Sequence, residues 1–328
     1  MRSHAFTLLL VLSFVIRSGA TPGCGPEELF DQALKAPPDF PRLLEKAKED
    51  NPEAQFRVGL AYDTGVAVQR DYAQAASWYK QAADHGNPAA QNNLGGLFVR
   101  GLGVPQSDLE AVRWYMRAAD QGHPAAQNNL GFMYALGRGV VQSDATAVFW
   151  YRKAAAQGYA PAKTNLGLMY SHGRAVPLDG KRAIKWYRAA TKAGFPPAEF
   201  GLGQMYFHGT AVPQDLTEAL KWFRKAAAHG SAAAQNQLGF AYEHGRGVSQ
   251  DYAQAEGWYR LAAANGSAEA RHNLAVIVAR LRGNDEFGTA LETGSVETLS
   301  TPRPGLSAFE DDVPIGGLSL LGGKRQRE

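Results

Sequence analysis

A tryptophan recurs every 36 residues through most of the chain, and this interval constrains the fold more than any other feature. Glycines keep the same interval, both at Gly86 and its copies and at Gly59 and its copies. A fixed period of roughly 20 to 50 residues is typical of solenoids, propellers and other arrays. No frame shift interrupts the series, so residues 51–266 hold six full units. The tryptophans of the sequence are Trp78, Trp114, Trp150, Trp186, Trp222 and Trp258.

The periodicity inside one unit predicts two helices. In the unit 87–122, Ala90, Leu94 and Phe98 fall at the spacing of one helical face. In its second half, Trp114 and Ala118 do the same. Each unit is therefore expected to be a helical hairpin.

The residues between the apolar stretches agree with this division. Pro88 and its copies stand where a first helical turn tolerates a missing N–H. Second helices are expected to begin after a capping side chain, and Gly65 with its copies marks the loop within each hairpin. The predicted caps are Asp71, Ser107, Ser143, Asp179, Asp215 and Asp251.

The repeated pattern Ala-x-x-x-Leu-Gly-x-x-Tyr, Gly-x-x-Val-x-x-Asp, Ala-x-x-Trp-Tyr-x-x-Ala-Ala-x-x-Gly resembles the Sel-like repeat family, a relative of the tetratricopeptide repeats. The resemblance covers the six units. It implies an all-α fold, an α/α superhelical solenoid of 36-residue hairpins, that binds other proteins. It implies no activity, because fold does not fix function.

The domain organisation follows from where the period begins and ends. Residues 1–20 are expected to be a signal peptide and residues 21–40 a linker. Residues 41–281 are the expected solenoid, whose six full repeats lie between two capping helices. Residues 282–328 change composition toward Gly, Ser, Thr, Pro and acidic residues, which is typical of a disordered tail.

The first twenty residues predict export. Arg2 precedes an apolar run, and small residues end at Ala20, where a signal peptidase would cleave. The run is shorter than the roughly 20 residues that cross a bilayer, so no transmembrane segment is expected after cleavage. The single cysteine, Cys24, excludes an internal disulfide. We expect a periplasmic or secreted protein, either in a bacterium or in a eukaryotic secretory lumen.

One sequence feature invites an enzymatic interpretation. Ser77 and Lys80 match Ser-x-x-Lys, the nucleophile motif of penicillin-recognising enzymes. No Ser-Asp-Asn occurs, and the Lys-Thr at Lys163 lacks the glycine of Lys-Thr-Gly. The protein is therefore expected not to be an enzyme. A hydrolase of cell-wall material or β-lactams remains the alternative, beside a glycan-binding envelope assembly factor.

Other ligand classes find little support. His172, His208 and His244 repeat at the period, but successive repeats lie too far apart to share one zinc ion. The net charge of +3 falls to +1 when Arg2 and Arg17 leave with the signal peptide, since 3 − 2 = 1. This balance offers no electrostatic footprint for nucleic acid. We expect neither a cofactor nor a metal.

A stripe on the first helices is the candidate binding surface. If Leu94 and Phe98 face the partner helix, then Asn92 and its copies lie on a face that this helix leaves uncovered. By analogy with tetratricopeptide repeats this face is concave. It mixes amides with apolar side chains, which suits a segment of another protein. The alternative is that the same residues pack between repeats. The predicted partner-binding residues are Asn128, Phe132, Thr164, Leu168, His172, Gln204, Phe207, His208, Asn236, Phe240 and His244.

Overall fold

The computed structural model of the protein describes residues 40–290, and of residues 283–290 only the backbone. Within that range the chain forms fourteen α-helices and no strand. The predicted fold class is confirmed, because consecutive 36-residue hairpins pack helix against helix in an α/α solenoid. The expected signal peptide, nearly all of the linker, and the tail beyond residue 290 lie outside the described residues.

The described chain divides into two compact units. The N-terminal unit comprises residues 40–169 and 173–177, and the C-terminal unit comprises residues 170–172 and 178–290. Even-numbered helices are the first helices of hairpins, and odd-numbered helices are the second helices. The helices up to the boundary are α1 (Phe40–Lys48), α2 (Pro52–Thr64), α3 (Tyr72–Asp84), α4 (Pro88–Arg100), α5 (Asp108–Asp120), α6 (Pro124–Leu136), α7 (Asp144–Ala156) and α8 (Ala160–His172). Those that follow are α9 (Gly180–Thr191), α10 (Pro196–His208), α11 (Leu216–Ala228), α12 (Ala232–His244), α13 (Tyr252–Ala264) and α14 (Ala268–Ala290).

The second helices begin at the positions predicted from their capping residues. The carboxylate of Asp71 accepts hydrogen bonds from the backbone N–H groups of Ala73 and Gln74 at 2.9 and 3.0 Å. All six predicted residues accept in this way, which satisfies donors that a helix start leaves unpaired. The hairpin loops begin with glycine, as at Gly137, whose φ of 68° is left-handed.

The first helix α6 has an unusual cap. The Nδ1 atom of His123 accepts a 3.3 Å hydrogen bond from the N–H of Ala126. Burial lowers the pKa of His123 to about 4, so the ring is neutral at pH 7 and keeps the lone pair that the cap requires. Asn51 and Asn87 cap the equivalent helices α2 and α4 with their side-chain oxygens.

Five hairpins close on a glycine of the first helix. A Cβ atom on Gly131 would lie 2.8 Å from the ring of Tyr151, which is fully buried. The prediction that these glycines mark close helix crossings is confirmed, because any larger side chain would push the second helix away. The same contact joins Gly59 to Tyr79, Gly95 to Tyr115, Gly203 to Phe223 and Gly239 to Tyr259.

Trp114 and Trp150 connect successive repeats. Trp150 lies on α7 but packs in a cluster with Val112 and Tyr115 of the preceding hairpin. Trp114 likewise joins the cluster of Ala76 and Leu94. Both indoles are buried, so the prediction that these two tryptophans hold one repeat to the next is confirmed.

The loops also attach to the preceding repeat. In the N-terminal unit, the guanidinium of Arg138 makes two hydrogen bonds, of 2.9 and 2.6 Å, to the carboxylate of Asp108 at the start of α5. Arg174 binds Asp144 at the start of α7 in the same way. Such forked pairs fix both distance and direction.

The last helix is longer than the sequence predicts. Its end was expected at 281, but α14 continues to Ala290. Position 281 is the copy of Gly245, which ends α12 in a left-handed conformation. Here the residue is Leu281, which favours helix, so no signal stops α14 at that point.

Candidate functional site

In the N-terminal unit, the predicted binding stripe lies largely in the seam between first helices. Asn128 is fully buried, and its Oδ1 accepts a 2.9 Å hydrogen bond from Nδ2 of Asn165 on α8. The buried Thr164 hydroxyl donates to the carbonyl of Ala160. Phe132 is 9% exposed and Leu168 is half-buried. The position of Asn128 therefore favours a role in packing one repeat on the next. Among Asn128, Phe132, Thr164 and Leu168, the most accessible side chain is that of Leu168.

The amide pair between first helices recurs. Asn129 donates to Asn92 at 3.0 Å in the N-terminal unit. In the C-terminal unit, Asn273 donates to the buried Asn236, also at 3.0 Å. Each pair joins residues 37 apart, one repeat plus one residue. A buried amide needs such a partner, because leaving it unpaired costs roughly 1 to 3 kcal/mol.

In the C-terminal unit, the stripe also contains side chains that reach solvent. Phe207 is buried, whereas Gln204 and Phe240 are half-buried. His172, His208 and His244 are exposed at the ends of their helices. The structure thus divides the predicted residues between those that hold the repeats together and those that remain accessible.

The buried Phe207 and accessible residues at the C-terminal ends of α10 and α12 and in the loop after α12 form one group, here called the aromatic cluster: Phe207, His208, Phe240, His244 and Arg246. The Phe240 and His244 rings stack with centroids 4.3 Å apart. The Phe207 ring lies 6.3 Å from that of Phe240 and 5.1 Å from that of His208. The guanidinium of Arg246 lies 5.1 Å from the centre of the Phe207 ring.

The aromatic cluster can bind a ligand in which an apolar group lies next to a hydrogen-bond acceptor. The Nδ1 atom of His244 faces the carbonyl of Phe240 at 3.1 Å and must donate to it, so Nε2 points elsewhere. Burial, and secondly the charge of Arg246, lower the pKa of His208. The half-buried Phe240 ring offers an apolar surface, and the Arg246 guanidinium can pair with a carboxylate or carbonyl.

The Ser-x-x-Lys match does not form a reactive pair in this structure. The ammonium of Lys80 lies 2.6 Å from the carboxylate of Asp84, one turn further along α3, and both Ser77 and Lys80 are exposed. A nucleophilic serine needs a base within hydrogen-bonding reach and a site that excludes water.

Two further observations concern metal binding and membrane spanning. Among residues 40–290, no group of three or more His, Cys, Asp or Glu side chains is arranged to hold a metal ion. In the same range, no helix combines the length and the apolar character needed to cross a bilayer.

One buried charged residue was missed by the sequence analysis. Glu199 on α10 is fully buried, with its carboxylate 2.7 Å from Nδ1 of His229 and 3.2 Å from the ammonium of Lys225. In the N-terminal unit the equivalent Gln91 donates to the carbonyl of Ala83 at 3.0 Å. The available signal was that Glu199, like Lys163, departs from the glutamine at this position in the other repeats, Gln55, Gln91, Gln127 and Gln235.

Comparisons with known proteins agree with this architecture. The Sel1 repeat model matches residues 52–87, 88–123, 124–159, 160–195, 196–231 and 232–267. A comparison with curated proteins found no match.

Two solved structures are similar over most of the chain. The Sel1 repeat protein from Oxalobacter formigenes is 36% identical with a TM-score of 0.59, covering 65% of this chain and 88% of that one. The antigen c5321, a protective antigen present in uropathogenic Escherichia coli strains, is 36% identical with a TM-score of 0.55. That match covers 72% of this chain but spans only 50% of c5321. With six consecutive matched repeats, the chain belongs to the Sel1 repeat family.

Proposed function

We propose that this protein is an exported, non-enzymatic scaffold that binds a protein or peptide partner through its first helices. Sel1 repeat proteins generally serve as protein-interaction scaffolds. The observation that carries the proposal is the aromatic cluster. It combines a half-buried ring, two exposed imidazoles and a guanidinium.

The cluster suggests the chemistry of the partner segment. An apolar or aromatic side chain of the partner packs on Phe240 and His244, and a neighbouring carboxylate or backbone carbonyl pairs with Arg246. Buried aromatic and arginine contacts usually dominate the energy of such interfaces. Within the C-terminal unit, the half-buried Gln204 and the exposed His172 add further accessible side chains on first helices.

Affinity capture from envelope extracts tests the binding face. The wild-type chain is compared with Phe240→Glu and with the control Leu261→Glu, which places the same charge on an exposed leucine of the second helix α13. We expect the wild type and the control to retain the same partner and Phe240→Glu to lose it, with all three chains melting at similar temperatures. Equal capture by Phe240→Glu would contradict the proposal.

Export and the absence of activity need separate experiments. Sequencing the N-terminus of the protein recovered from its native compartment should identify Thr21, if cleavage follows Ala20. An intact Met1 in a cytoplasmic fraction would exclude export.

Incubation with a fluorescent penicillin tests for enzymatic activity. Covalent labelling of the wild type that is lost on Ser77→Ala would show that the protein is an enzyme and not a scaffold.

A further inference from the structure

A second accessible surface lies on α7, in the N-terminal unit. A cavity of about 510 Å³ is lined by residues of this helix between Ala145 and Ala156, and by Ala175 of the loop after α8. Cavities of this size accommodate one or two large side chains of a ligand. This α7 groove involves the second helix of its hairpin and shares no residue with the aromatic cluster.

The α7 groove contains an aromatic residue that the repeat does not explain. Phe149 is 50% exposed, and its ring meets that of Trp150 edge to face at 5.1 Å. The ring is therefore held in place while half of its surface remains open. None of the equivalent positions is apolar in the other repeats, where they are Ser77, Arg113, Lys185, Lys221 and Gly257.

The α7 groove is also positively charged. The ammonium of Lys153 lies 4.7 Å from the ring centres of both Phe149 and Trp150, and Arg152 lines the groove beside it. Among the described lining residues there is no carboxylate.

A comparison with α3 shows how the groove differs from its counterpart. In α3, Lys80 binds the carboxylate of Asp84 one turn along the helix. The position of α7 equivalent to Asp84 is Ala156, whose methyl group lines the cavity. The result is an apolar surface bordered by two cations.

We propose that the α7 groove binds a peptide segment of another protein in which carboxylates flank an aromatic or large aliphatic side chain. The apolar side chain packs on the open face of Phe149, and the carboxylates pair with Lys153 and Arg152. A peptide fits better than an anionic membrane, because lipid surfaces are bound by clusters of four to eight basic residues on an open face. The groove supplies two, within a concave site.

Fluorescence anisotropy with the full chain tests this proposal. The probe is a labelled synthetic peptide of sequence Glu-Asp-Glu-Phe-Asp-Glu-Leu-Asp-Gly. We expect a dissociation constant of about 10 to 100 µM, which is typical of a short single-site peptide. Replacing the acids of the peptide by lysine, or its Phe and Leu by serine, should abolish binding.

Variants of the chain locate the site. Phe149→Lys introduces the residue found at the equivalent positions 185 and 221, and Lys153→Ala introduces that of position 189, so both should fold. We expect Phe149→Lys to weaken binding at least about tenfold and Lys153→Ala about fivefold. The control Lys185→Ala, at the position equivalent to Phe149, should bind as the wild type does.

Three results would overturn the proposal. They are no binding of the acidic peptide by the wild type, unchanged binding by both groove variants, and stronger Phe149-dependent binding to phosphatidylserine vesicles than to the peptide. Thermal melting followed by circular dichroism checks each variant. If Phe149→Lys fails to fold, Lys153→Glu carries the same test, because it reverses the charge at a partly solvated site.

Discussion

The hydroxyl of Tyr259 donates a 2.7 Å hydrogen bond to the carboxylate of Glu243, across the buried contact between α13 and α12. In the first hairpin, Tyr79 donates to Asp63 at 3.1 Å in the same place. The equivalent contact between α10 and α11 is apolar, because Phe223 meets Phe207 there with ring centroids 5.8 Å apart. At these three contacts the second-helix aromatic residue carries a hydroxyl only where the first helix supplies an acceptor, whereas the positions equivalent to Glu243 in the hairpins of Tyr115 and Tyr151 are Val99 and Ala135.

Tyr259→Phe should therefore destabilise the protein although it removes only one oxygen. Glu243 would lose a donor in a buried setting, which costs about 1 to 3 kcal/mol. Phe223→Tyr, the reverse change, should destabilise by a similar amount, because its hydroxyl would face the ring of Phe207. Urea denaturation measures both. Unchanged stability of Tyr259→Phe would mean that the hydrogen bond contributes nothing net.

Trp150→Ala should cost about 3 to 5 kcal/mol, because it removes a buried indole from the contact between two repeats. The matched control is Leu109→Ala on α5, where the side chain is 52% exposed. That change should remain within about 0.5 kcal/mol of the wild type. Equal melting temperatures for the two variants would refute the packing role of Trp150.

Gly131→Ala should destabilise by about 1 to 3 kcal/mol, since its methyl group would lie 2.8 Å from the fixed ring of Tyr151. Gly257→Ala is the control. It lies in helix α13 with no atom near its Cβ position, so alanine should stabilise by about 0.5 to 1 kcal/mol. Chemical denaturation that gives both changes the same sign would contradict the close-crossing assignment.

Acid should weaken the fold through His123. Its folded pKa is about 4, below the ordinary value of 6.5, so the unfolded chain takes up the proton first. The contribution is complete above pH 6.5 and is lost as the pH falls from 6.5 towards 4, by about 2 to 3 kcal/mol. His123→Asn keeps the cap used at Asn51 and Asn87 but cannot titrate. Denaturation at about pH 7 and pH 4.5 should show a smaller loss for this variant than for the wild type.

Features that depend on one hairpin could be predicted from the sequence. The caps, the left-handed glycines and the close contact at Gly131 depend on neighbours within about one period, so the repeat pattern reveals them. Whether the candidate stripe faces the neighbouring repeat or the solvent could not be predicted in the same way. Asn128 meets Asn165, 37 residues away, whereas a 36-residue alignment compares only equivalent positions. The partner-binding role of the stripe therefore remains a prediction.

Single departures from the repeat were harder to interpret. Glu199 in place of glutamine gave no hint that Lys225 and His229 would surround its buried carboxylate, because Lys225 lies on α11 and His229 directly follows that helix. Leu281 in place of glycine was visible in the sequence, but the continuation of α14 to Ala290 depends on the residues that follow. In both cases the informative signal was the residue that broke the series.

The forked pair between Arg138 and Asp108 has a consequence for limited proteolysis. Trypsin must draw an extended stretch of chain into its cleft, so cleavage after Arg138 requires this loop to leave α5 first. In the C-terminal unit, Arg246 occupies the position equivalent to Arg138, but Leu216 occupies the position equivalent to Asp108. The guanidinium of Arg246 therefore has no such carboxylate to bind and lies beside the Phe207 ring. Trypsin should therefore cleave after Arg246 before it cleaves after Arg138.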